Sequence, residues 1–287
     1  MIGALLLTWA IGDVVFHSRR WIGIPGTGAQ IQVSEFEKIV LILLVARYLS
    51  ELKSEQVGLR DLLKLGGLVG IPTLLVWLQP DFGTGATYLP IVGAGILVAG
   101  IRWRYLVIVT LICALAAPLV WNFLKEGQKA RLITFVNPAA DPKGRGYQVI
   151  QSKIAVGHGG MLGQGVTQGT QTQLRFLPVP HTDFIFSAFA EEHGFVGVVM
   201  ALGLYFLLLM QIVQNAQAAP DRAGMYICMG VATVLLFHIL ENVGMAVGFM
   251  PVTGIPLPLM SYGGSATLFV FLALGLVMNV RIRRFVN

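Results

Sequence analysis

Long apolar stretches separated by short polar ones recur from one end of the chain to the other. The runs are continuous, as at 204–212 and 269–280, and lack the polar–apolar alternation of membrane β-barrel strands. A helix needs about 20 apolar residues to cross a hydrocarbon core of about 30 Å, and in lipid only helices and closed barrels satisfy their backbone. The pattern therefore predicts an all-α, polytopic transmembrane helical bundle. The predicted spans, about eight in number, are 2–16, 36–48, 62–78, 85–101, 105–123, 184–213, 225–249 and 267–280.

The composition excludes an ordinary soluble domain. Hydrophobic residues make up 55% of the chain, charged residues 12%, and the mean hydropathy is +0.74, whereas soluble domains carry about 25% charged residues. The net charge is +6, but the basic residues lie at helix ends and in loops rather than along one face, so no nucleic-acid partner is predicted. Cys113 and Cys228 lie in apolar runs without metal-site or redox spacing, so no disulfide is predicted. Residues 1–287 are predicted to form a single membrane domain.

Lysine and arginine residues in short loops predict the orientation in the membrane, because they favour the cytoplasmic side. One set of alternate loops and the C-terminal tail carries Lys53, Arg60, Lys64, Arg102, Arg104, Arg222, Arg281, Arg283 and Arg284, against Arg19 and Arg20 on the other side. The first side is therefore predicted to be cytoplasmic, and the longest connection, about 124–183, to be an extracytoplasmic loop. A connection of about 60 residues is too long for a plain connector, which predicts a functional element.

Asp183 is the strongest candidate for chemistry, because it lies where the long loop re-enters the membrane. Ionisable groups at such places are costly and indicate function by default. The structural alternative is a carboxylate that caps the following helix and needs only water and backbone N–H groups.

Two further acids follow Asp183 in the same predicted span. Glu191 and Glu192 come eight and nine residues later, about two helical turns, which would bring Glu191 near the face that carries Asp183. Such a carboxylate pair could share acid–base work, and hydrogen bonds to neighbouring helices are the structural alternative. His193 beside them has no accompanying ligand spacing, so it is predicted to be a packed or hydrogen-bonded histidine rather than a metal ligand.

Basic residues outnumber acidic ones on the predicted outer side. The cations are Arg19, Arg20, Lys125, Lys129, Arg131, Lys143, Arg145, Lys153 and Arg175, against Glu126, Asp141 and Asp183 in the long loop. This excess suits an anionic ligand such as a phosphate or pyrophosphate headgroup, which Arg can chelate through two oxygens. The alternative is a solvated face, or attraction to anionic lipid at about 1 kcal/mol per cation.

Two proline-containing passages interrupt the predicted spans. In the first, Asp81 and Thr84 follow Pro80 and are predicted to cap the next helix. The second runs from Pro251 through 265, and irregular backbone at membrane depth is tolerated only where it is buried in protein or lines a cavity. Glu241 and Asn242 precede this passage in an apolar span and are predicted to need buried partners that the sequence does not identify.

Several motifs occur in a fixed order along nearly the whole chain. They are Arg20-Trp21-Ile22 with Gln32, Ser34-Glu35 and Lys38; Gln79-Pro80-Asp81-Phe82-Gly83-Thr84; Asp141-Pro142 with Gly146-Tyr147-Gln148; Gln151-Ser152-Lys153-Ile154-Ala155; Gly169-Thr170-Gln171; Phe176-Leu177-Pro178 with His181-Thr182-Asp183-Phe184-Ile185-Phe186; Ala190-Glu191-Glu192; and Asn242-Val243-Gly244-Met245 leading to Pro251-Val252, Pro256-Leu257-Pro258 and Ser261-Tyr262-Gly263-Gly264-Ser265. With these motifs the chain resembles the SEDS proteins (shape, elongation, division, sporulation), and among them the RodA branch.

The resemblance implies a peptidoglycan glycosyltransferase of the bacterial cytoplasmic membrane. Members of the family are regarded as polymerising lipid II into glycan strands on the outer face, during cell elongation and shape maintenance, together with a class B penicillin-binding transpeptidase. It places the family's essential carboxylate at Asp183, and its functionally important outer tryptophan and lysine at Trp21 and Lys38. Two features depart from the family. The first is that its members typically have ten spans, whereas this chain begins where their third would start. In addition, 26–30 resembles a small insertion and Val33 replaces the usual proline.

These considerations assign roles to individual side chains. Asp183 is predicted to be the general base, and Lys38, Lys153 and Arg131 are predicted to offset charge on the pyrophosphate leaving group. The remaining predicted substrate-binding residues are Trp21, Gln151, Ser152, His181 and Thr182, and the predicted supporting residues are Glu35, Asp81, Glu191 and Glu192. The predicted partners are lipid II, the nascent glycan, membrane lipid and the transpeptidase. The sequence identifies no cofactor with certainty, and a divalent ion (Mg²⁺ or Mn²⁺) bridging Asp183 and pyrophosphate is an alternative use of that carboxylate.

Two functions from other classes compete with the enzyme. A transporter that flips lipid-linked precursors would use broken helices and the buried Glu241, and would have related halves with polar groups near the bilayer midplane. The sequence contains no repeated halves, and its polar residues concentrate in the outer loop, which favours an enzyme. A non-catalytic scaffold for the transpeptidase is the second alternative, which the missing spans leave open.

Overall fold

The computed structural model describes residues 2–15, 18–23, 30–52, 54, 56–124, 126–141, 144–174, 176–177 and 179–283. The predictions made for Lys53, Lys125, Lys143, Arg175 and Arg284, and for most of the insertion at 26–30, lie outside the described residues. The side chains of Arg19 and Arg145 lie outside them as well.

The described part of the chain is almost entirely helical, as the apolar pattern predicts. Its α-helices are α1 (Ile2–Ile11), α2 (Val33–Ser50), α3 (Leu59–Leu78), α4 (Phe82–Ala86), α5 (Tyr88–Ala99), α6 (Trp103–Phe123), α7 (Glu126–Val136), α8 (Arg145–His158), α9 (Thr170–Gln173), α10 (Ile185–Gln217), α11 (Arg222–Val247) and α12 (Gly264–Arg283). A short 3₁₀ helix covers Pro138–Ala140. The predicted long loop, 124–183, therefore contains helices α7, α8 and α9.

Among the described residues, five helical segments are long and apolar enough to cross a membrane: α3, α4 with α5, α10, α11 and α12. Helix α6 contains a shorter apolar stretch. Helix α2 carries Glu35, Glu37, Lys38 and Arg47 within its 18 residues. The protein is thus a multi-pass helical membrane protein, and the fold class is confirmed.

A small antiparallel sheet precedes α2, in the order β1 (Asp13–Val15), β2 (Ser18–Gly23) and β3 (Gln30–Gln32). The predicted first span, 2–16, is therefore wrong at its end, because the helix stops at Ile11. Strands of three to six residues are too short to establish a hydrophobic period, which is why the apolar pattern did not predict them. Trp21 lies in β2 and pairs with Gln32 of β3.

The contacts within the chain group it into two compact units. The first comprises residues 1–118, 210–237 and 264–287, and the second comprises 119–209 and 238–263. In the first unit Leu41, Ile42 and Val45 of α2 are buried. Gly95 of α5 lets that helix approach closely, since a Cβ there would lie 2.8 Å from Leu49 Cδ1. The single membrane domain stays a prediction.

The second unit is built around helices α8, α10 and α11 and the chain between α11 and α12. Its larger core contains Phe186, Tyr205, Ile239, Ala246 and Leu257. A smaller cluster contains Leu177, Phe184, Ala188 and Met245. Both clusters pack the start of α10 against the end of α11.

Candidate functional site

Asp183 lies in a turn immediately before α10. The turn is closed by a hydrogen bond of 3.3 Å from the backbone N–H of Thr182 to the carbonyl of Val179. Phe184, the residue after Asp183, is 1% exposed and packs in the smaller core cluster, which anchors the turn to the protein interior. Asp183 itself is half-buried. Since it precedes the helix, the helical spacing expected between Asp183 and Glu191 does not apply.

Asn242 of α11 attaches this turn to the rest of the second unit. Its side-chain amide donates hydrogen bonds of 2.9 Å to the backbone carbonyls of Asp183 and Ile255. Asn242 is fully buried, and within the described residues its Oδ1 has no hydrogen-bond partner. These two carbonyls are the buried partners that the sequence predicted but could not identify.

The proline-rich passage between α11 and α12 is irregular, as predicted, and side chains satisfy its backbone. The hydroxyl of Tyr205 donates to the carbonyl of Pro258. His238 Nδ1 lies 3.2 Å from the carbonyl of Pro256. Such bonds replace the partners that water would supply to this non-helical backbone, as a passage buried in protein requires.

The end of this passage is also bonded to the Asp183 turn. The hydroxyl of Ser261 donates to the carbonyl of Thr182 over 2.7 Å, and the backbone N–H of Tyr262 donates to the carbonyl of His181 over 2.9 Å. The predicted substrate residues His181 and Thr182 thus use their carbonyls to hold the turn. The His181 side chain is exposed.

Gly254 forms one wall beside the Asp183 carboxylate. Its φ is +77°, a conformation that side chains disfavour. A Cβ at this position would lie 3.3 Å from Asp183 Oδ2. The glycine therefore allows both the turn of the passage and the close approach of the carboxylate.

Two predicted cations lie along the same stretch of chain, 248–254. Arg131 of α7 donates a hydrogen bond of 3.3 Å to the carbonyl of Thr253, the residue before Gly254. The alkyl chain of Lys153, from α8, lies over Gly248, whose φ is +79°. Lys153 is exposed and makes no hydrogen bond or ion pair within the described residues. The structure thus brings Asp183, Arg131 and Lys153 to one segment of the second unit.

The neighbours of Lys153 on α8 differ in their surroundings. Ser152 is fully buried and its hydroxyl lies 2.6 Å from that of Ser187 and 2.7 Å from the carbonyl of Ala246. Ser152 links α8 to α10 and α11 through this enclosed hydroxyl, and its predicted substrate-binding role stays a prediction. Gln151 is half-buried.

Helix α10 is broken at Gly194, where φ is +65° and ψ is −167°. Part of the long loop fills this break. The N–H groups of Gln164 and Gly165 donate to the carbonyls of Glu191 and Glu192 over 2.9 and 3.1 Å. In return, Phe195 and Val196 of α10 donate to the carbonyls of Gly160 and Met161. The exchange satisfies the backbone groups that the break releases.

The Glu191 side chain holds the following part of the loop. It is 0% exposed and accepts hydrogen bonds from the N–H groups of Gln171 and Thr172, at 2.8 and 3.1 Å, and from the Thr172 hydroxyl at 2.8 Å. Glu192 accepts one from the N–H of Thr167 at 3.0 Å. Backbone donors occupy both carboxylate oxygens of Glu191, which favours the hydrogen-bonding alternative, and the acid–base pairing with Asp183 stays a prediction. Glu191 supports the site by positioning the loop.

The first unit contains the remaining predicted residues in a buried polar cluster. Lys38 is 0% exposed, its ammonium lies 2.7 Å from Glu35 Oε2, and it sits 4.2 Å from the centre of the Phe269 ring. In this arrangement the ammonium is enclosed and paired, and the predicted leading role of Lys38 toward a leaving group stays a prediction. Lys38 stabilises the start of α2 against α12.

Asp81 is the second centre of this cluster. Its Oδ1 accepts from the N–H of Thr84, which confirms the predicted cap. Its Oδ2 accepts from Gln32 Nε2 at 2.7 Å and lies 3.3 Å from an Arg20 nitrogen. Trp21 follows Arg20 in β2 and is half-buried.

Sequence reasoning missed three residues that shape the site. Gly248 and Gly254 carry positive φ, which single glycines in a proline-rich passage could have signalled. Thr253 donates from its hydroxyl to Glu241 Oε1 at 2.8 Å, which identifies the partner of that buried acid. Among the described residues no three His, Cys, Asp or Glu side chains cluster as metal ligands.

Comparison with known proteins identifies relatives along the whole chain. The family model of cell cycle proteins that covers FtsW, RodA and SpoVE matches residues 1–285. The peptidoglycan glycosyltransferase MrdB of Escherichia coli K12 is 38% identical over 283 residues, which is 96% of this chain and 74% of that protein. The peptidoglycan glycosyltransferase RodA of Treponema pallidum is 34% identical over 98% of this chain and 81% of that protein.

A solved structure gives the same result. A chain of a peptidoglycan synthase complex, described for its coordination of polymerization and crosslinking, superposes with a TM-score of 0.84 at 36% identity, over 100% of this chain and 80% of that one. Sequence and structure agree, and the protein belongs to the SEDS family of FtsW, RodA and SpoVE cell cycle proteins.

Proposed function

We propose that this protein is a peptidoglycan glycosyltransferase that polymerises lipid II into glycan strands. Relatives that carry this activity in their names match nearly the whole chain. The observation on which the proposal depends is the position of Asp183. It is a half-buried carboxylate on a turn that Asn242 and the proline-rich passage hold from two sides.

The reaction that suits this carboxylate is a single displacement. The 4-hydroxyl of one lipid II sugar attacks the anomeric carbon of a glycan carried on polyprenyl pyrophosphate. As the new C–O bond forms, the hydroxyl proton passes to Asp183, and the anomeric carbon–oxygen bond breaks with its electron pair leaving on the pyrophosphate. The anomeric centre is inverted. General base catalysis of this kind contributes roughly 10²–10⁴-fold.

Arg131 and Lys153 are the cations we assign to the leaving group. Arg131 bonds to Thr253, next to the glycine that lines the Asp183 carboxylate. Lys153 reaches the same segment at Gly248 and its ammonium is exposed. Fixed cations at this position would stabilise the charge that develops on the pyrophosphate. A divalent ion bridging Asp183 and pyrophosphate remains a second use of the carboxylate.

We place the reaction on the outer face of the bacterial cytoplasmic membrane. The basic residues of the short loops support this orientation, because the Asp183 turn falls on the side opposite to them by the parity of the spans. We also propose a class B penicillin-binding transpeptidase as the partner. The complex that superposes with this chain couples polymerization and crosslinking, which supports such a partner.

Asp183→Asn tests the assignment directly. The amide keeps the size of the side chain but cannot take the proton, so we expect glycan synthesis from lipid II in proteoliposomes to fall by roughly 10²-fold or more. Asp221→Asn is the matched control, because Asp221 caps α11 by accepting from the N–H of Gly224 and asparagine caps equally well. Wild-type rates from Asp183→Asn would refute the assigned base.

The same assay separates the competing functions. A transporter would move fluorescent lipid II across the bilayer without making glycan, and a scaffold would do neither while still binding the transpeptidase. Repeating the wild-type assay with chelator decides the metal question, since full activity without divalent ions would remove the bridging role.

A further inference from the structure

A cavity of about 300 Å³ lies in the first unit, away from every residue assigned to catalysis. Its walls come from the last turns of α2 and α5, the first turn and a half of α11, and the chain between α2 and α3. Leu49 and Val57 supply buried apolar surface, and Val98 is 39% exposed at the rim. A volume of this size is at the lower end for sites that bind small ligands.

Helix α11 presents its polar groups to this cavity from one face. Arg222, Met225 and Tyr226 line it and are spaced i, i+3 and i+4, so their side chains are neighbours on the helix surface. Tyr226 is only 8% exposed. In the described part of the chain its hydroxyl makes no hydrogen bond, and the Arg222 guanidinium makes neither a hydrogen bond nor an ion pair.

Two of the other arginines described near this end of the helices differ in this respect, whereas Arg60, Arg104, Arg281 and Arg283 are, like Arg222, without a partner among the described residues. Arg47 is paired with Glu51 at 3.0 Å, and Arg102 donates to Gln56 at 3.2 Å. Asp221, the acid next to Arg222, already accepts from the N–H of Gly224 at 2.7 Å. Among the described residues, Arg222 is thus a cation without a hydrogen-bond or ion-pair partner at the lining of this cavity.

The polar side chains that line the cavity favour a phosphate group as the ligand. Guanidinium offers a planar pair of donors that matches two phosphate oxygens, and the Tyr226 hydroxyl adds a third donor. The first turn of α11 contributes a favourable dipole for an anion. The short loops on this side are rich in Lys and Arg, as expected next to an anionic leaflet.

We propose that this cavity is a binding site for the phosphate headgroup of an anionic phospholipid, with Arg222 and Tyr226 as its donors. The headgroup enters between α5 and α11 and its phosphate is held by the guanidinium. This site is separate from the lipid II reaction and does not depend on it.

The test uses the purified full chain in detergent with added phosphatidylglycerol, and bound lipid is counted by native mass spectrometry. About 0.5 M ammonium acetate shortens the Debye length to roughly 4 Å, which suppresses attraction to exposed surface charges. Arg222→Gln is expected to weaken binding by about tenfold, and Tyr226→Phe, which removes a single donor and keeps the ring, by about threefold. The matched control is Arg283→Gln, an exposed arginine in the last turn of α12 that does not line the cavity, and it should bind like wild type.

Equal phosphatidylglycerol binding by wild type and Arg222→Gln would overturn the proposal, as would equal losses from Arg222→Gln and Arg283→Gln. Phosphatidylethanolamine in place of phosphatidylglycerol should bind more weakly, and equal binding would remove the role of net negative charge. In the last experiment, inorganic phosphate is added to the protein with bound phosphatidylglycerol. If phosphate does not displace the lipid, the result supports a headgroup site. Full displacement would make soluble phosphate the occupant and overturn the lipid assignment. Unchanged thermal unfolding of the unliganded variants establishes that they are folded.

Discussion

The side-chain amide of Asn242 donates a hydrogen bond of 2.9 Å to the backbone carbonyl of Asp183, 59 residues earlier in the chain. The second amide hydrogen bonds to the carbonyl of Ile255. One buried side chain therefore fixes the turn that carries the carboxylate and the passage that lines it. Because a displacement reaction is sensitive to the position of its base, we propose that this bond is part of the catalytic geometry.

Asn242→Asp tests that relationship with almost no change in volume. An ionised aspartate accepts hydrogen bonds only, so it would face two carbonyls that need donors. We expect the rate of glycan synthesis to fall by roughly 10²-fold, and the free energy of unfolding to fall by about 1–3 kcal/mol. Both are measurable on protein reconstituted for the lipid II assay. Asn215→Asp is the control, since Asn215 is a buried asparagine of α10 at which the described structure has no such bonds. A normal rate of glycan synthesis from Asn242→Asp would show that catalysis does not need the hydrogen bond between Asn242 and the Asp183 turn.

The helices of this protein could be predicted from its sequence because the bilayer imposes their length and apolar character. Helices α10, α11 and α12 begin within a few residues of the predicted spans. Asp183 could be selected as a candidate for a similar reason, since a carboxylate predicted at the membrane boundary is costly and stands out, and its role stays a prediction. Each of these features is encoded locally.

The roles of Lys38, Ser152 and Glu191 could not be predicted, because each depends on a partner far along the chain. Lys38 meets Phe269 of α12, and Ser152 meets the carbonyl of Ala246. Composition and spacing mark such residues as polar and buried, and packing alone decides whether they face a ligand or a neighbouring helix.

Gly254→Ala tests the close approach at the carboxylate. The new Cβ would meet Asp183 Oδ2 at 3.3 Å, and the positive φ adds strain of about 1 kcal/mol. We expect the turnover rate to fall by roughly tenfold or more, as the carboxylate is displaced. Gly160→Ala is matched for strain, because Gly160 has φ +52° and open space around its Cβ position. Equal effects of the two variants would attribute the loss to backbone strain alone.

Lys153→Gln tests the assigned leaving-group cation. Removing an exposed charge should leave thermal stability unchanged, while kcat/KM for lipid II falls by roughly tenfold because less charge on the pyrophosphate is offset. Lys153→Arg should retain most of the activity. Lys129→Gln is the control, since Lys129 lies on α7 and is paired with Glu126 at 3.3 Å. If Lys129→Gln and Lys153→Gln lose the same activity, the effect comes from overall charge rather than from a specific contact.

Glu191→Gln tests whether that acid positions the loop or transfers protons. In the structure two backbone N–H groups and one hydroxyl donate to its carboxylate. An amide replaces one accepting oxygen by a donor, which leaves at least one buried N–H without an acceptor and should cost about 1–3 kcal/mol of local stability. Hydrogen exchange at the amides of 159–173 is expected to accelerate strongly.

The kinetics of the same variant distinguish the two roles. A positioning residue changes the rate through disorder of the loop, so the pH dependence of the remaining activity should match that of wild type. Glu192→Gln serves as the comparison, because Glu192 holds a single N–H, that of Thr167, at an exposed position, and surface bonds of this kind contribute less than about 1 kcal/mol. A shifted pH profile with unchanged hydrogen exchange in Glu191→Gln would instead return this carboxylate to the acid–base role.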